Sequence, residues 1–169
     1  MTAVYPVQDL SFLLGLHVIY EYDGGIAADL YVRNEHSVDY RVLKGPVAGR
    51  WVTRQKASVA SLGGGTGILS WAERTGSTVS MVIDPVGRWL YGSAFFAKWV
   101  DENPGTTLGH QSDHLEGIRK LRNEGPVAPH SPLHQFAEIT FLEVCSTDND
   151  EVISCSPGEL PAGFAGLRN

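Results

Sequence analysis

Cysteine is scarce: the 169-residue chain holds two, Cys145 and Cys155. Two thiols are too few for a disulfide framework or a four-cysteine zinc site. They flank an acidic loop with no helix start or basic neighbour in sequence to activate either, so both are expected to be reduced and unpaired. Positive charge is also in deficit, with 13 basic side chains against 19 acidic ones and a net charge of −6. That sign disfavours nucleic acid and anionic membrane as partners, and any anion must be held by local groups. No apolar run approaches the roughly 18 residues that a membrane span needs. No basic-then-apolar leader is found, and the chain is read as soluble and cytoplasmic.

Glycine and proline, by contrast, are plentiful, at 19 and 9 residues. So many chain-benders are wrong for a helical bundle and suit short strands joined by turns. With 43% apolar residues, the length fits one well-buried core, so residues 1–169 are expected to form a single domain. Residues 16–22 are rich in β-branched and aromatic side chains and read as a strand. Asp23-Gly24-Gly25 tolerates a tight hairpin, which returns residues 26–33 antiparallel to it. Further strands are expected at 37–43, one or two within 47–62, and at 78–83, 89–99 and 136–144. Gly63-Gly64-Gly65-Thr66-Gly67 lacks the following helix and the Lys-Ser/Thr of a phosphate loop, and reads as a hairpin loop.

Eight or nine strands predict a mainly β fold, a closed antiparallel barrel, because closure removes exposed sheet edges. One helix is predicted over 112–124. There Asp113 and Glu116 are spaced as a capping box, Leu115, Ile118 and Leu121 share a face, and Gly125-Pro126 ends it. The proline-containing stretch to Pro132 reads as a linker. The tail after Ser146 is acidic and then rich in Gly and Pro, with about 154–169 expected to be loosely held.

Several residues carry candidate chemistry. Tyr20 and Tyr22 stand two apart on a strand, so their hydroxyls project from one face, roughly 7 Å apart at the backbone. Such a pair can pinch a carboxylate, and equally can form an amphipathic wall with its hydroxyls wetted at the rim. Arg50, in Val47-Ala48-Gly49-Arg50-Trp51, and Glu73, after Ile68-Leu69-Ser70-Trp71, both lie in apolar contexts. Facing inward, each needs a partner, and the simplest partner for one is the other; facing outward, both are ordinary solvated charges. His110 and His114, like His130 and His134, have the i, i+4 spacing of metal ligands. One pair starts ahead of the helix and the other sits among prolines, so neither is assigned a metal.

The order of motifs then becomes specific. Val18-Ile19-Tyr20-Glu21-Tyr22-Asp23-Gly24-Gly25, Asn34-Glu35-His36-Ser37-Val38-Asp39-Tyr40-Arg41 and Val47-Ala48-Gly49-Arg50-Trp51-Val52 closely resemble segments of the bacterial phenolic acid decarboxylase family. So do Ser70-Trp71-Ala72-Glu73-Arg74-Thr75-Gly76, Phe95-Phe96-Ala97-Lys98-Trp99-Val100 and the acidic Asp148-Asn149-Asp150-Glu151-Val152-Ile153. The resemblance covers roughly residues 13–153 and runs from Val18 to about His114 without gaps.

The resemblance implies a lipocalin-like β barrel, a homodimer, that removes CO2 from para-hydroxycinnamic acids with no cofactor or metal. Carried over by position, the carboxylate-binding tyrosines match Tyr20 and Tyr22, and the essential arginine and glutamate match Arg50 and Glu73. Ile26, Ala28, Val79 and Ala94 fall on the substrate wall. In the implied chemistry Glu73, kept protonated by apolar surroundings, protonates the substrate at Cα, with Arg50 orienting it. Relatives usually carry aromatics near Ile26-Ala27-Ala28, a bulkier aliphatic at Ala94 and a proline at Ala97, and their tails differ beyond Ser154. These departures leave open a lyase or hydratase acting on another conjugated aryl acid. A non-catalytic aryl-acid carrier is the remaining reading, and it has no need of both Arg50 and Glu73.

Overall fold

In the computed structural model, which describes residues 4–169, ten strands form one sheet. In chain order they are β1 (Leu16–Tyr22), β2 (Ala27–Asn34), β3 (Ser37–Lys44), β4 (Arg50–Lys56), β5 (Ser58–Gly63), β6 (Thr66–Ala72), β7 (Thr78–Asp84), β8 (Trp89–Phe96), β9 (Gly109–His110) and β10 (Ser131–Val144). Their order across the sheet is β5-β6-β7-β8-β10-β1-β2-β3-β4-β9. All neighbours are antiparallel except the two-residue parallel pairing of β4 with β9.

The expected closed barrel is not completed by backbone hydrogen bonds: β5 and β9 end the ladder. Only Ala57 separates β4 from β5, so the chain turns a corner there rather than forming a hairpin. The ends of the curled sheet meet through side chains instead. Gln55 Nε2 on β4 donates to the Ala72 carbonyl on β6 at 3.1 Å, and Arg50 reaches Glu73 just beyond β6.

Alternation sorts the residues of each strand between the two faces of the sheet. The inner face packs Leu13, Leu16, Val18, Leu30, Val32, Val38, Val52, Leu69, Ile83 and Leu90 into an apolar plug. Farther along the same strands Tyr20, Tyr22, Tyr40, Trp71 and Ala94 continue that face. The core thus fills one end of the curl and leaves the other to a cavity.

Two expected elements begin or end differently. The strand predicted over 89–99 stops at Phe96, and the chain then forms α1 (Lys98–Glu102). Trp99 Nε1 donates to the Thr75 carbonyl at 2.9 Å, and Trp99 packs in a second apolar cluster with Ala97, Val100 and Ile118. That tertiary contact outweighs strand propensity. The predicted helix is α2 (Leu115–Glu124), preceded by a 3-10 turn over Gln111–His114. No side chain caps it, so Asp113 and Glu116 do not form the expected box; the 3-10 turn leads into the helix in its place. The stretch expected to be a linker up to Pro132 already pairs with β8, Ser131 opposite Phe96.

The outer face of β1–β3 is buried as thoroughly as the inner one, because the C-terminal tail lies across it. Tyr31 donates to the Ser146 carbonyl, Arg33 pairs with Asp150, and Arg41 Nη1 donates to the Cys155 carbonyl at 3.2 Å. The Arg41 guanidinium also sits 5.5 Å from the centre of the Phe164 ring. The tail expected to be loose is docked by these contacts, and Cys155 has the basic neighbour its sequence context lacks, since its Sγ lies 3.4 Å from Arg41. Ile153 is the tail's apolar anchor, 2% exposed. Ile153→Ala is expected to lower unfolding free energy by about 2–5 kcal/mol in urea titration, the range for emptying a buried aliphatic site.

Candidate active site

The open end of the curl holds a cavity of about 160 Å³. A single water needs only about 10–15 Å³ of such space, so the cavity admits a small molecule. Tyr20 and Tyr22 project into it from alternate positions of β1, their rings 5.5 Å apart and nearly perpendicular at 88°. On β8, Gly92 makes room for the second phenol, because a Cβ there would overlap the Tyr22 ring and hydroxyl. Register supplies the wall. Tyr20 stands opposite Ala28, and Val79 opposite Ala94, so small side chains flank the phenols. Ile26, Met81, Phe96 and Leu133 complete an apolar lining that also includes Arg50 and Glu73. Every site residue named from the sequence thus lines one cavity.

Arg50 opens β4 and Glu73 follows β6, at the two sides of the seam that the ladder leaves unpaired. Arg50 Nη2 lies 3.1 Å from Glu73 Oε2, with both side chains more than nine-tenths buried. Glu73 begins a tight turn: its N–H donates to the Ser77 carbonyl and its carbonyl accepts from Gly76, whose φ of +92° few other residues adopt. Within that turn Thr75 Oγ1 donates to Glu73 Oε2 at 3.2 Å and accepts the Ser77 N–H. The carboxylate is therefore held by the loop that carries it as well as by the arginine.

Two partners carried no sequence-level assignment. Tyr40 donates to Glu73 Oε1 at 2.5 Å and accepts from Arg50 Nε at 3.3 Å. Gln111, on the 3-10 turn, accepts from Arg50 Nη2 at 3.0 Å. Tyr40 was accessible in principle, since Val38, Tyr40 and Val42 alternate on β3 as Tyr20 and Tyr22 do on β1; nothing in the pattern around Gln111 marks it. Glu73 lies in a mostly apolar cavity, as expected, but its oxygens meet a guanidinium, a phenol and a hydroxyl. The four histidines lie elsewhere, His110 against Trp51 and Thr53, and His134 beside Ser93.

Burial sets the protonation of the phenols. It drives Tyr20 well above the ordinary tyrosine value, with the neighbouring Tyr22, Tyr40 and Asp29 adding to the effect. It pushes Tyr22 up to about 12, although a hydrogen bond with Tyr20 pulls the other way. Tyr40 is raised by burial too, against the Arg50 charge. For Arg50 burial opposes the charged form, but Tyr40 and Glu73 more than compensate, and the guanidinium stays charged. The cavity thus holds neutral phenol donors and the buried Arg50–Glu73 salt bridge in one space.

Comparison with known proteins converges on one family. The family model described as phenolic acid decarboxylase (PAD) matches residues 10–167. Phenolic acid decarboxylase PadC of Bacillus subtilis is 40% identical over 146 residues, spanning 86% of this chain and 91% of its own. A Vibrio cholerae protein named "Probable phenolic acid decarboxylase" is 36% identical over 157 residues, 93% of this chain and 90% of its own. Among solved structures, a Burkholderia vietnamiensis protein provisionally named a beta-lactamase superposes with a TM-score of 0.50 at 15% identity, over 84% of this chain and 99% of its own. At that identity the likeness concerns the fold alone. The family match and the identities over most of both chains lead to one conclusion: this chain belongs to the phenolic acid decarboxylase family.

Proposed function

We propose that the chain is a carboxy-lyase that converts para-hydroxycinnamic acids, such as coumaric, caffeic and ferulic acid, to vinylphenols and CO2 without a cofactor. Direct loss of CO2 from an alkenyl carbon would leave an unstabilised vinyl anion. Protonating the substrate at Cα first, with the para-oxygen deprotonated, gives a quinone methide. When the C–C bond to CO2 then breaks, its electron pair restores the aromatic phenolate. The substrate is its own electron sink.

In this reading Glu73 takes up a proton from solvent before turnover and delivers it to Cα, and Arg50 and Tyr40 hold the carboxylate that remains. The proton given up by the para-hydroxyl returns to the phenolate product. Tyr20 and Tyr22 hold the substrate carboxylate as neutral donors. Neutrality matters, because a cation clamped on that carboxylate would stabilise the ground state more than the transition state, in which the charge leaves for the ring. Ile26, Ala28, Val79 and Ala94 flank the aryl ring, and the short side chains at 28 and 94 give room for ring substituents. The observation that carries the reading is the buried Arg50–Glu73 pair in the same apolar cavity as two neutral phenols. A carrier would bear the cost of burying that pair for no purpose. The same reading makes the protein a cytoplasmic homodimer, for which exposed Phe95 and Phe136 offer apolar surface.

Incubation with para-coumarate is expected to bleach the cinnamate absorbance with release of CO2. Glu73→Gln should still bind substrate but lose about 10²–10⁴-fold in kcat, the usual contribution of a positioned proton donor; a near-wild-type rate would exclude that role. Neutral phenols also carry a stability signature. The unfolded chain releases tyrosine protons near 10.0 whereas folded Tyr22 holds its proton to about 12, so this contribution is present below pH 10 and lost as pH rises through that window. Urea titrations across that range should show a shallower alkaline decline for Tyr22→Phe than for the wild type.

A further inference from the structure

We propose that His17, Glu143 and Cys145 form a binding site for a divalent transition-metal ion, best suited to Zn2+, on the outer face of β1 and β10. The site is separate from the cavity, because His17 alternates with the inward-facing Leu16 and Val18. Its residues are assembled by strand register. His17 pairs directly with Glu143, and Cys145 follows just past the end of β10, close to both. One ligand atom from each, nitrogen, oxygen and sulfur, lies within 4.8 Å of the other two. Among the described residues no other group of His, Cys, Asp and Glu meets that condition.

A tetrahedral zinc ion with bonds of about 2.0–2.3 Å keeps its ligands roughly 3.3–3.8 Å apart. Closing onto an ion therefore asks for about an ångström of movement, available to the partly exposed Glu143 and Cys145 side chains. A mixed N, O, S donor set is what a borderline ion such as Zn2+ accepts.

The surroundings are organised as for a ligand. His17 Nδ1 faces Glu143 Oε1 at 2.8 Å, and its other nitrogen, Nε2, is held by Asp29 Oδ2 at 3.1 Å. Asp29 is itself fixed by Arg41 at 2.6 Å. A carboxylate behind the imidazole orients the ring and raises its basicity toward an ion on the far side. Cys145 is fixed through its backbone, whose N–H donates to the Gly15 carbonyl at 2.8 Å. The Glu143 side chain is 48% exposed, which leaves a fourth position to water. An ion here would tie β1 to the point where the C-terminal tail leaves β10.

The test is metal titration of the full-length, untagged protein after chelator treatment. Calorimetry with Zn2+ should show one ion per chain, and Co2+ should give a thiolate-to-metal charge-transfer band. Cys145→Ser and Glu143→Gln, which change surface-accessible side chains rather than buried His17, should each weaken Zn2+ at least tenfold, and Cys145→Ser should abolish the band. Cys155→Ser should leave both readouts unchanged. No saturable binding, undiminished binding in either Cys145→Ser or Glu143→Gln, or equal loss in Cys155→Ser would overturn the proposal.

Discussion

A guanidinium and a carboxylate withdrawn from water must hold each other, and the Arg50–Glu73 pair is the contact on which this structure turns. Removing one partner of such a pair costs about 3–5 kcal/mol, because it leaves the other charge buried and alone. Here the pair also spans the seam between β4 and β6, where the sheet has no backbone ladder. The interaction that completes the cavity wall therefore also joins the two ends of the curl. Tyr40, Thr75 and Gln111 share the cost of burial by filling the remaining hydrogen-bond positions.

At the tyrosines the logic is reversed. Tyr20 and Tyr22 are polar but uncharged, and burial keeps them so. A charge network and neutral donors therefore line the same cavity. Gly92 and Ala28 belong to the same design: the absence of side-chain bulk beside the phenols makes room for their rings.

Much of this was legible because it is local or periodic. The strands of the first hairpin follow from alternation and the Gly-Gly turn, and the facing tyrosines follow from a spacing of two. Arg50 and Glu73 could be matched because buried charges need partners, although pattern alone left their direction open. The residues that escaped depend on contacts distant in sequence. Lys98–Glu102 is helical because Trp99 packs against the Thr75 turn and Ile118, not because its own residues demand it. The tail is docked because Arg41 and Tyr31 wait on the outer face of β2 and β3, which a composition rich in Gly and Pro does not reveal. Gln111 enters the site only because the excursion after β8 folds back onto β4.

The central claim is that the Glu73 carboxyl group, fixed by its neighbours, protonates a substrate whose own carboxylate is held by Tyr20 and Tyr22. Turnover of para-coumarate in D2O, with the vinylphenol analysed by proton NMR, tests it most directly. Delivery from one face to an immobilised substrate predicts a single deuterium at the terminal vinyl carbon in one geometric position. An equal mixture of the two positions, or no deuterium there, would contradict the account.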